Sequence, residues 1–132
     1  MNTRIVMTAS AFVLGSSGVI LTFTPDTLLN FLHIGTNDSA LLIMQILGAL
    51  YFAFGMLNWM SKTSLIGGIY NRPVAVANFT HFMIVALALL KVLISHPNST
   101  YFIWSVGIVY FAFAVSYGVI LFRHPLAKKV DG

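Results

Sequence analysis

The chain has 132 residues, of which 58% are apolar and only 8% charged, with no cysteine and a formal net charge of +4. Soluble domains carry about 25% charged residues, so this composition excludes one and points to a membrane. Without cysteine there are no disulfides, no thiolate metal sites and no redox chemistry on a Cys pair.

The charges stand at Arg4, Asp26, Asp38, Lys62, Arg72, Lys91, Arg123, Lys128, Lys129 and Asp131, where they punctuate the chain instead of being spread along it. A bilayer core of ~30 Å takes about 20 apolar residues as helix. The uncharged runs predict four spans, at 5–23, 40–60, 73–93 and 100–122. They are apolar on consecutive positions, whereas barrel strands alternate, so helices are predicted. Arg4 and Ser16-Ser17-Gly18 give the first run some marks of a cleaved signal peptide. Its apolar stretch continues to Phe23, however, beyond a short signal core, and it reads as a span.

After the first span, Thr24-Pro25-Asp26 offers an N-cap residue, a proline for the first turn and an acid beside it, and the segment closes at Gly35. This predicts a short helix in the membrane interface, with Leu28, Leu29, Phe31 and Leu32 turned towards lipid or the other helices. Around Ser95-His96-Pro97-Asn98-Ser99 only a tight hairpin turn fits. Short links make successive helices antiparallel neighbours. The expected fold is all-α, an antiparallel four-helix transmembrane bundle forming a single domain over 1–132, with no internal repeat.

Four spans place Arg4, Lys62, Arg72, Arg123, Lys128 and Lys129 on one side of the membrane and Lys91 alone on the other. Short loops rich in Lys and Arg stay in the cytoplasm, so both termini are expected there, in a cytoplasmic (inner) membrane. Orientation and anionic lipid account for the basic balance, and no clustered patch points to nucleic acid. Trp59, Tyr70, Tyr101 and Trp104 stand near span ends, as interfacial anchors do.

At 100° per residue, Ala11, Gly15, Gly18 and Thr22 share a stripe of the first span. Gly48, Tyr51, Gly55 and Asn58 share one on the second, and Gly107, Tyr110, Ala114, Tyr117 and Gly118 on the fourth. Small residues let helix backbones approach where lipid supplies no hydrophobic drive, so these stripes predict helix packing. A further small face, Ser105, Ala112 and Ser116, would be available to a partner. The third span is the most polar, with Asn71, Asn78 and His81 on one face. Its depth matches that of Asn58 and Tyr117, which predicts a polar cluster of Asn58, Asn78, His81 and Tyr117 with Arg72 at its mouth. An ionisable residue inside a membrane is costly and suggests function, but a neutral imidazole holding helices together fits His81 as well. Gln45 is expected to hydrogen-bond between helices.

Other chemistries lack their residues. Glutamate is absent and every Asp lies outside the spans, so a carboxylate-driven pump has no carrier. His33 and His96 fall on the outer side and His124 in the tail, leaving His81 without the second ligand that a haem bundle needs. No metal or cofactor is expected. A Ser or Thr nucleophile has no base and orienting acid nearby, so no catalytic residue is assigned.

The first span ending in Phe23-Thr24-Pro25, the second around Leu47-Gly48-Ala49 and the third entered by Asn71-Arg72-Pro73 with a histidine inside together resemble small four-span bacterial membrane proteins of the DoxX-like group. The resemblance covers the whole chain and implies the fold; that group has no single agreed activity to carry over. The leading expectation is a non-enzymatic accessory, assembly or oligomeric scaffold component that packs against itself or a membrane partner. Two alternatives stay open: a small-molecule or lipid carrier or channel with a cytoplasm-facing cavity at His81, and a membrane enzyme acting on a lipid or quinone.

Overall fold

In lipid a backbone must satisfy its own N–H and C=O groups, and long apolar runs do so as helices. A computed structural model describes residues 2–64 and 71–123 of the chain. It shows α1 (Thr3–Phe23), α2 (Pro25–Phe31), α3 (Asp38–Ser61), α4 (Arg72–Ser95) and α5 (Tyr101–Phe122). There is no strand among the described residues. The fold is all-α, of the helical-bundle class, and the four long helices lie within three residues of the predicted spans. Tyr70, His124, Lys128, Lys129 and Asp131 lie outside the described residues. With 21, 24, 24 and 22 residues, α1, α3, α4 and α5 are each long enough to cross a membrane. The chain divides into two compact units, Asn2–Thr63 and the part from Ser64 onward.

In the first unit, the helix starts are set by asparagines. Asn2 Oδ1 accepts from the Arg4 amide at 3.0 Å, and Asn37 Oδ1 accepts from the Ala40 amide at 2.8 Å. Thr24 differs from its expected role. Its hydroxyl donates to the Ile20 carbonyl at 2.9 Å and so closes α1, leaving α2 without a side-chain cap. The proline in the first turn of α2 then costs nothing, because its missing N–H would have had no helical partner. Pro25 and Leu29, one helical turn apart, are buried, while Phe31 is exposed.

The end of α2 also departs from expectation. It is His33, at φ 56°, and not Gly35 that takes the left-handed conformation. The His33 amide donates to the Asn30 carbonyl at 3.1 Å and the Ile34 amide to the Leu29 carbonyl at 2.9 Å. This pair of bonds is the Schellman closure, which needs left-handed backbone two residues after the last helical one, and the register puts a histidine there.

Antiparallel packing of α1 on α3 brings backbones together. A Cβ on Gly18 would stand 2.5 Å from the Phe52 amide nitrogen and 2.8 Å from the Gly48 carbonyl oxygen. One on Gly48 would meet the Thr22 nitrogen at 2.8 Å and the Gly18 carbonyl at 2.9 Å, and one on Gly55 the Gly15 nitrogen at 2.7 Å. These contacts are with main chain, which cannot swing aside.

The second unit is a hairpin of α4 and α5 joined by a tight turn. The Ser99 amide and hydroxyl both donate to the His96 carbonyl, at 3.0 and 2.6 Å. Here the glycines face side chains: Gly107 meets Leu93, and Gly118 meets the ring of Phe79. Phe82, Ala86, Leu93, Tyr110, Ala114, Tyr117 and Ile120 are buried.

Gly18→Ala and Gly48→Ala are therefore expected to destabilise the α1–α3 hairpin by roughly 1–3 kcal/mol, the usual cost of overpacking. Gly35→Ala, whose Cβ would meet nothing within 4 Å, should change stability by less than about 0.5 kcal/mol. Unfolding of the purified variants in mixed detergent micelles measures both.

Candidate functional site

Polar side chains inside an apolar helix must find a partner. In the first, Asn58 and Ser10 are fully buried. The Asn58 side-chain amide donates to Ser10 Oγ at 3.0 Å, and the Ser10 hydroxyl donates to the Met7 carbonyl at 3.1 Å. This relay ties α3 to α1 near the end that carries Arg4 and Lys62. Asn58 thus has a structural partner on α1 that a helix wheel of the second span alone could not reveal.

The other residues of the expected cluster belong to the second hairpin. Asn78 is fully buried and donates through Nδ2 to the Val74 carbonyl, one turn earlier on α4, at 2.9 Å. Arg72 is exposed at the first position of α4. His81 is half-buried, its ring 5.2 Å from that of Phe82 in an edge contact and 5.9 Å from that of Tyr110.

Phe82 is the hub of this region. Its centroid lies 4.9 Å from Phe113 and 5.6 Å from Tyr117, both near-parallel, and 5.3 Å from Tyr110 at a steep angle. Stacked and edge-on rings complement each other's quadrupoles, each pair adding about 0.5–1.5 kcal/mol beyond burial. Sequence reading missed Phe82, because hydropathy does not separate a ring that fills the hairpin from one that faces lipid. The one available signal was position: Phe82 lies four residues after Asn78 and four before Ala86, on one face of the helix.

Of the expected packing residues, Gly18, Gly48 and Gly55 lie where the α1 and α3 backbones touch. Gly15 contributes only its main chain there, and its own Cβ would enter open space. Ala114 is fully buried, and Gly107 and Gly118 face α4 side chains. Gln45 lies on an exposed face of α3. An apolar groove of about 370 Å³ runs along α4 and α5, lined among others by Leu90, Leu93, Trp104, Gly107, Phe111 and Ala112. Among the described residues no three His, Asp or Glu side chains come together as metal ligands.

No family model, curated protein or solved structure matches this chain. Its class therefore rests on the four helices themselves: the chain is a multi-pass membrane protein.

Phe82→Ala should cost about 3 kcal/mol by leaving a cavity between Tyr110, Phe113 and Tyr117, and Phe82→Leu clearly less, because it refills part of the volume. Reversible unfolding followed by near-UV circular dichroism reads both.

Proposed function

We propose that this chain is a non-enzymatic accessory or assembly component of a membrane, with both termini on the cytoplasmic side, which acts by receiving another transmembrane helix on its second hairpin. The observation that carries this reading is the groove along α4 and α5. Its lining is almost wholly apolar, and Gly107 and Ala112 keep its α5 wall low. Transmembrane helices associate through close van der Waals fit over small residues, and this surface offers such a fit along the edge of the hairpin's own core. The charged groups reinforce it: Asp26 and Asp38 stand at helix starts outside the membrane core, so the spans hold no carboxylate to carry protons or orient a base.

The groove occupant is a second copy or a different membrane protein. A photo-crosslinking residue at position 112 is expected to capture it in native membranes, whereas one at Ile84, on the opposite face of α4, is not. Ala112→Trp fills the groove and should abolish association while leaving the purified protein folded. A chain that remains monomeric, with no crosslinked protein at position 112, would sink the reading.

A further inference from the structure

A second groove lies on the first hairpin and has a different chemistry at its end. It occupies about 240 Å³ between α1 and α3, lined by Phe12, Gly15, Phe52, Gly55, Met56 and Trp59 among others. Gly15 is what keeps it open, since a side chain there would project into unfilled space. Its run from Phe52 to Trp59 is about 10 Å along the helix.

The groove ends at Trp59, whose ring makes an edge contact with Phe12 at 5.5 Å. Over the other part of that ring stands Lys62, with Nζ 2.8 Å from the centroid. An ammonium on an aromatic face is held by the ring quadrupole and keeps donors free to point outward. Arg4 is exposed at this same end of the hairpin, whereas the acids of the unit, Asp26 and Asp38, stand at the starts of α2 and α3, at the other end. An apolar slot closed by an anchored cation, with no acid beside it among the described residues, complements an anionic amphiphile.

We propose that this groove binds one anionic phospholipid, with an acyl chain lying over Gly15 and the phosphate against Lys62. The site is independent of the α4–α5 surface and of the function proposed for it. Trp59 reports on it directly, because it forms one wall.

The test uses the full chain carrying Trp104→Phe, which leaves Trp59 as the only tryptophan, in phosphatidylcholine vesicles containing phosphatidylglycerol. Bromine is placed on the acyl chains of one lipid or the other, and quenching of Trp59 is read. Brominated phosphatidylglycerol is expected to be about fivefold more effective per molecule than brominated phosphatidylcholine, the factor that about 1 kcal/mol for one cation at an anionic surface supplies. Lys62→Gln should bring the ratio close to one. Gly15→Leu should reduce quenching by the anionic lipid to that of bulk lipid with Lys62 still present; if this variant does not fold, the surface substitution Lys62→Gln decides alone. Equal quenching by the two lipids in the parent chain, or a preference that survives Lys62→Gln, overturns the proposal. So does a cysteine at Phe52 that crosslinks between two copies, since the groove would then be covered by protein.

Discussion

The contact of two helix backbones at Gly18, Gly48 and Gly55 is the constraint on which the first hairpin depends. With no side chain between them, α1 and α3 are held at a distance that no other residue type at these positions would permit. That closeness lets a short serine reach across to Asn58, and a longer gap would leave the Asn58 amide to find a partner elsewhere. It also produces the groove beside Gly15, because two helices that touch along glycine leave a furrow where their larger side chains diverge.

The second hairpin is built on the opposite principle. Its helices are separated by rings, with Phe82 stacked on Phe113 and Tyr117, and its glycines accommodate Phe79 and Leu93 instead of backbone. Main-chain contact is rigid and tolerates no added atom, whereas a ring cluster can absorb a change of shape if its volume is kept. One protein of 132 residues thus uses both ways in which helices associate without a hydrophobic drive between them.

The spans were legible because a charge in a bilayer is so costly that charged residues mark helix ends, and α1, α3, α4 and α5 follow those marks closely. The short α2 was legible from Pro25, but its stop was not: Gly35 was the obvious residue for left-handed backbone, and the hydrogen-bond register required it at His33. The candidate site was harder to read. Depth along a helix and position on a wheel put Asn58, Asn78, His81 and Tyr117 at similar levels, but the wheel of one helix does not name a partner on another. Asn58 meets Ser10 of α1, a residue that stands just beside the small stripe and carries no hydropathy signal of its own. The Tyr117 ring stacks on Phe82, a phenylalanine whose role composition does not reveal.

Each hairpin joins helices of unequal length: 21 residues with 24 in the first, and 24 with 22 in the second. At 1.5 Å per residue the longer partner reaches about 36 Å, against about 32 Å for the shorter. Held side by side in a hydrocarbon layer of ~30 Å, the longer helix has to lean further or raise its end into the headgroups. Mismatch between a helix and its bilayer costs fractions of a kcal/mol for each ångström. In the first hairpin α1 and α3 are pinned to each other at the glycine contact, so any such mismatch is taken up at the helix ends, one of which carries Lys62.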